Sequence, residues 1–232
     1  MDEVRRLSIY EIWIVLLITF GMSGLRSLVS LIQAALNPAP LSSQTVTLNA
    51  GAIISQLLSA VVLFGWGALA LYLLATVNPP APLPRRSRGW QWLTGCGLAA
   101  LIGIPGLAFY LGALHFGLSK EVVIASSPLF LVWALANAFG EEVVVVHWFS
   151  TRLEQLGWKP WMFILASAVL RGSYHLYQGY SAGLGNIIMG VIFAYFYYKK
   201  RSFWPLVIAH ALIDTVAFAG YPVLTSIMGT HG

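Results

Sequence analysis

Polar residues fall in short clusters along the chain, separating long apolar runs that show no alternation of period two. Seven runs reach the ~20 residues a helix needs to cross a bilayer: roughly Ile9–Leu36, Ala52–Val77, Trp92–Phe116, Val122–Ser150, Trp161–Tyr177, Leu184–Tyr198 and Phe203–Ala219. Runs of that length predict helices rather than the ~10-residue segments of a membrane barrel. Loop signals stand between them: Asn37-Pro38-Ala39-Pro40 with a Ser/Thr stretch, the proline-rich 78–84, Gly157-Trp158-Lys159-Pro160 and Gly179-Tyr180-Ser181-Ala182-Gly183. The pattern predicts one all-α, polytopic transmembrane bundle of about seven spans, with six to eight compatible. Residues 1–120 form its N-terminal helices with a basic loop at 78–89, residues 121–220 the later helices, and 221–232 a short tail. Arg5 and Arg6 precede the first run, but it is too long for a signal peptide and lacks a cleavage site, so it reads as a retained helix.

Composition strengthens the membrane reading. Charged residues are 9% of the 232 and hydrophobic ones 58%, where a soluble domain carries ~25% charged residues. This excludes an ordinary soluble domain, disorder, collagen and coiled coil. The net charge of +5 would suggest a polyanion partner in a soluble protein, yet its distribution follows topology. Arg5, Arg6, Arg85, Arg86, Arg88, Arg152, Lys159, Lys199, Lys200 and Arg201 fall on one side of the predicted spans and Lys120 on the other. The positive-inside rule then predicts a multi-pass cell-membrane protein with a cytoplasmic N-terminus, partnered by membrane lipid and not by nucleic acid. Oligomeric state is not readable. Trp90, Trp92, Trp158, Trp161 and Trp204 cluster at span ends, as interfacial anchors do. Cys96, the single cysteine, excludes an intramolecular disulfide and reads as a small buried apolar residue. Gly183, Gly185 and Gly190 read as sites of close helix approach, and Arg26, within the first span, as structural.

Six ionisable residues sit inside spans of the second half: Glu141 and Glu142 on the fourth, Arg171 and His175 on the fifth, His210 and Asp214 on the seventh. Each would cost ~2.5 to 3.5 kcal/mol facing lipid, so they are expected to meet one another. Arg171 and His175 are four apart, as are His210 and Asp214, so each pair is expected on one helix face. Glu141 and Glu142 lie ~100° apart on a helix, so only one is expected to point straight at the site. By rise from the span ends, His175 fits the common depth least well. A carboxylate beside imidazoles in a water-accessible cavity can activate a water and protonate a leaving amine, which makes hydrolysis the natural reaction class. Three carboxylates against one arginine require protons, charged histidines or a divalent metal to balance them.

From about Phe139 to Phe218 the chain resembles the CPBP family of intramembrane endopeptidases, also called the CAAX protease and bacteriocin-processing or Abi family. Its motifs EExxxR, FxxxH and HxxxN or HxxxD fall on Glu141–Val146, Arg171–His175 and His210–Asp214. Gly140 before the acids and Tyr174-His175-Leu176-Tyr177-Gln178-Gly179 add to the likeness. The resemblance implies that 121–220 are catalytic helices. It implies that Glu141 and His175 activate the hydrolytic water and that His210 and Asp214 steady the oxyanion, with Glu142 and Arg171 in support. It also implies either a zinc-like divalent metal or none. Two departures stand out: Val146 replaces the motif's arginine and Arg171 its phenylalanine, so Arg171 is expected to restore the missing charge from another helix. His147, five and six residues from the acids, is expected to point away from them as an interfacial histidine.

The sequence therefore predicts an intramembrane protease cutting a membrane-associated protein or peptide. The competing readings are a non-catalytic membrane scaffold or immunity protein of the same fold, and a proton-coupled transporter, because buried Glu and His chains also relay protons. Substrate and cleavage site are not encoded in any residue pattern found.

Overall fold

The computed structural model describes residues 3–39, 41–48, 51–124 and 127–228. The helices are α1 (Glu3–Ile18), α2 (Phe20–Leu36), α3 (Ile53–Thr76), α4 (Arg88–His115), α5 (Phe130–Glu141), α6 (Phe149–Gln155), α7 (Pro160–Ser173), α8 (Tyr180–Lys200) and α9 (Trp204–Met228). Between α5 and α6 the chain does not break but widens into a π-helix over Glu142–Trp148. The architecture is an all-α helical bundle. Among the described residues four helical units are long and apolar enough to cross a membrane, and five if the bent pair α1–α2 is one span. α7, with 14 residues, rises only ~21 Å and is shorter than a full crossing.

The first run bends by 48° at Thr19. The Thr19 hydroxyl donates to the Val15 carbonyl at 2.6 Å, a back-bond that competes with the helical ladder and bends it. The bend lays α2 along the end of α7, where Tyr177 N–H donates to Ser27 Oγ at 2.6 Å. The fourth run starts later than its apolar pattern suggests. Glu121–Ile124 form a short strand, β2, paired in parallel with β1 (Thr45–Leu48) in the register Thr45↔Glu121 through Leu48↔Ile124. α8 begins at Tyr180, so the expected loop 179–183 shrinks to Gly179, whose φ of +113° favours a residue without Cβ. α9 runs through to Met228, over most of the stretch expected as a tail.

The unit α5–π–α6 is the axis of the bundle. Val143, Val144, Val145, Val146 and Trp148 are all fully buried, whereas α4 turns Leu93, Leu101 and Ile104 outward at 60–77% exposure. Small residues set the closest approaches: a Cβ at Gly190 on α8 would come within 2.7 Å of Ala168 Cα on α7, and one at Gly140 on α5 within 2.8 Å of the Leu63 carbonyl on α3. Gly185 faces only Phe109 at 3.9 Å and closes no such contact. Cys96 is exposed rather than buried, because it lies on the outward face of α4.

Arg152, expected in a loop, is wholly buried on α6. Its Nε donates to Glu11 Oε1 at 2.8 Å and its other four N–H groups meet Gln155 Oε1 and the carbonyls of Leu73, Val77 and Asn78 at 2.7 to 3.2 Å. The last three carbonyls belong to the frayed end of α3, so a side chain from another helix completes that terminus. Glu11 Oε1 also accepts from Trp148 Nε1 at 2.7 Å, tying α1 into the same knot. Arg26 is exposed on α2, seven residues past the bend rather than at it. Trp92, Trp158, Trp161 and Trp204 are 39–63% exposed near helix ends, where interfacial rings belong.

Candidate active site

Three elements deliver the site. α5 ends in Glu141 and the π-helix opens with Glu142, so the helix widens at the two acids. Four consecutive valines follow, crowding the ordinary helical turn. Single wide turns of this kind occur often at functional sites. Both carboxylates therefore face the same way, contrary to the ~100° separation expected of an ordinary helix. α7 brings Arg171 in its last turn, and α9 brings His210 and Asp214 in its first three turns.

Arg171 is the hub. Its two terminal nitrogens donate to Glu141 Oε2 at 3.1 Å and to Glu142 Oε1 at 2.5 Å, and neither the guanidinium nor the acids are more than 3% exposed. The guanidinium carbon also lies 5.6 Å over the Phe193 ring on α8. The cation that pairs the two acids thus comes from α7, while Val146 is fully buried. Glu142 Oε1 is also 2.7 Å from His210 Nδ1. His210 Nε2 faces Asp214 Oδ1 at 3.6 Å, one helical turn on. Asp214 Oδ2 accepts from Asn137 Nδ2 at 2.9 Å.

His175 is not on α7. The helix stops at Ser173, and His175 lies in the turn before a short 3₁₀ segment, with φ −102° and ψ −4°. The pairing with Arg171 on one helix face is therefore replaced by a loop placement, which removes the misfit in depth. Its Nε2 sits 3.8 Å from Glu141 Oε2. That distance is too long for a direct hydrogen bond but suits a water bonded to both groups. Both His175 ring nitrogens and Glu142 Oε2 are buried without a protein partner. His175 and Asp214, with side chains 15% and 16% exposed, are the site's most open members.

Two contributors were not singled out from the sequence. Tyr174 OH donates to Glu141 Oε2 at 2.7 Å, and Asn137 holds Asp214. Asn137 stands one helical turn before Glu141, a polar residue within an apolar run, and stepping back by four from the acid would have found it. His147 is neither interfacial nor in the site. It is buried, 2.7 Å from Tyr197 OH, and stacked on Phe203 with ring centroids 4.7 Å apart.

A divalent metal was tested against the donor atoms. Glu141, Glu142 and His210 are all buried and offer ligand atoms within 4.8 Å of one another. All three are already engaged, since Arg171 bridges both acids and His210 Nδ1 lies 2.7 Å from Glu142 Oε1. A divalent ion would have to share the carboxylates with a buried guanidinium. The arrangement is a guanidinium-clamped acid pair, with Glu142 Oε2 and both His175 ring nitrogens left without a protein hydrogen-bond partner.

Residues 123–216 match the family model described as "Rce1-like: Type II CAAX prenyl endopeptidase Rce1-like". No curated protein and no solved structure matches the chain. The match supports a multi-pass membrane protease of the CAAX type, and it spans the acids of α5, the imidazole of the α7–α8 turn and the His–Asp pair of α9. Over those residues, less than half of the chain, it is similar to that family.

Proposed function

We propose that this protein is an intramembrane endopeptidase that hydrolyses a peptide bond of a membrane-associated protein or peptide, with Glu141 and His175 activating the water. The observation that carries the reading is the 3.8 Å interval between Glu141 Oε2 and His175 Nε2 at the more open edge of a buried acid–arginine cluster. A water held by both gives its proton to Glu141 as its oxygen attacks the scissile carbonyl carbon. Arg171 and Tyr174 fix the carboxylate through the same Oε2. His210, its ring held at Nδ1 by Glu142 and facing Asp214 through Nε2, donates from Nε2 to the developing oxyanion. Collapse breaks the C–N bond, and the proton stored on Glu141 passes to the leaving amine. Glu142 and Arg171 hold the charges in register and take no proton.

The description of the matching family names a prenyl CAAX endopeptidase, and a lipid-modified C-terminus is the substrate class proposed on that basis. The basic residues at one end of the spans support a cytoplasmic N-terminus. The test compares new protein termini in membranes of cells expressing wild type and Glu141→Gln at matched levels. Termini present only with wild type are expected and name substrates. Matched profiles with both variants folded overturn the reading in favour of a scaffold, and pH-driven flux in proteoliposomes would instead show a transporter.

A further inference from the structure

Away from the carboxylates, the segment 83–86 crosses the turn that joins α8 to α9. The N-terminal half of α4 is pressed against the start of α9 there: a Cβ at Gly95 would stand 2.6 Å from Ile208 Cγ2 and 3.1 Å from the Pro205 carbonyl. A cleft of about 360 Å³ remains between the two connections, lined among others by Arg85, Arg86, Gln91, Arg201, Phe203 and Trp204. Among the described residues no carboxylate lines it. Arg201, which also lines it, is paired with both oxygens of Glu154 at 2.6 and 2.5 Å, so the lining sets no carboxylate against Arg85 and Arg86. Arg86 is held with its guanidinium carbon 5.0 Å over the Trp90 ring.

The surroundings select the ligand. Trp204 is 45% exposed and Trp92 57%, placing the cleft at the depth where indole rings meet headgroups. Beside it α4 turns Leu93 outward at 77% exposure, a surface for acyl chains. Two guanidiniums match phosphate oxygens geometrically and electrostatically, with the Gln91 amide donating to the Arg86 carbonyl beside them at 3.2 Å. The volume falls within the range of small-ligand sites. We propose that this cleft binds the phosphodiester headgroup of an anionic phospholipid, its acyl chains lying on the outward face of α4. The site is independent of the proteolytic reading, since none of the acids or imidazoles assigned above lines the cleft.

The test titrates detergent-solubilised protein with phosphatidylglycerol or phosphatidylcholine and reads bound lipid by native mass spectrometry. Wild type should prefer phosphatidylglycerol. The double variant Arg85→Gln/Arg86→Gln should weaken that binding by roughly 20- to 30-fold, at the usual gain per basic residue near an anionic surface. Arg88→Gln, which alters the same loop but does not line the cleft, should change it by less than about twofold. Equal binding of the two lipids would overturn the proposal. A loss in Arg88→Gln as large as in either single cleft variant would also overturn it, revealing general surface charge. Competition by millimolar inorganic phosphate would assign the cleft to free anions, and competition by a peptide C-terminus would assign it to a polypeptide, each against the proposal.

Discussion

Removing the positive charge of Arg171 while installing the family's own residue type, Arg171→Phe, isolates what that charge does. The side chain is fully buried and bonded to two carboxylates that are themselves at most 3% exposed. Deleting one partner of a buried ion pair costs ~3–5 kcal/mol, because the remaining charge has neither water nor counter-ion. Loss of the contact over Phe193 adds ~0.5–2 kcal/mol. A total of about 5 kcal/mol is a large share of a marginal stability of ~5–15 kcal/mol. At ~2–4 °C per kcal/mol for a chain of this size, the melting temperature should fall by roughly 10–20 °C. Val146→Arg on the same background restores a cation one helical turn past Glu142. Because Val146 is fully buried, overpacking of ~1–3 kcal/mol limits the rescue, so the double variant should regain about half the loss. Thermal unfolding in detergent, followed by circular dichroism, reads both changes. An Arg171→Phe protein that expresses and melts like wild type would refute the compensation argument.

Arg152→Lys leaves three donors for the five bonds around α3 and should lower stability by ~3 kcal/mol in the same melting assay, whereas a shift below about 1 kcal/mol would show that water completes the α3 terminus. His147→Phe keeps a ring against Phe203 and loses only the contact with Tyr197. It should cost ~1–2 kcal/mol with cleavage intact, and cleavage lost at preserved stability would place His147 in the site. Purified active protein should retain activity after chelation and carry no stoichiometric zinc. One zinc per chain, removed by Glu142→Gln, would contradict the guanidinium-clamped acid pair.

The helical architecture and the membrane habit were legible because hydropathy runs report burial in lipid directly. The meeting of Glu141, Arg171, His210 and Asp214 was legible too, since lone charges in spans cannot stay apart. What escaped the pattern was local backbone geometry. The widening at Glu142 brings both acids to one side, yet a run of valines reads equally well as ordinary buried helix. His175 leaves the helix just after Gly172 and Ser173, where a lone glycine within an apolar run reads equally well as continuing helix. Arg152 and His147 were misplaced for a common reason. Their polarity suggested a surface, and only tertiary partners on α1, α3 and α8 satisfy them inside.

The knot around Arg152 also sets an order in time. The carbonyls it completes at Leu73, Val77 and Asn78 precede it by 74 to 79 residues. At ~5–20 residues per second of synthesis, the end of α3 leaves the ribosome roughly 4–15 s before its partner exists. During that interval those groups depend on interfacial water. The early helices therefore insert as a loose set and lock only when the central span follows them, so slowed translation between residues 78 and 152 would lengthen the exposure of an incomplete bundle to membrane quality control.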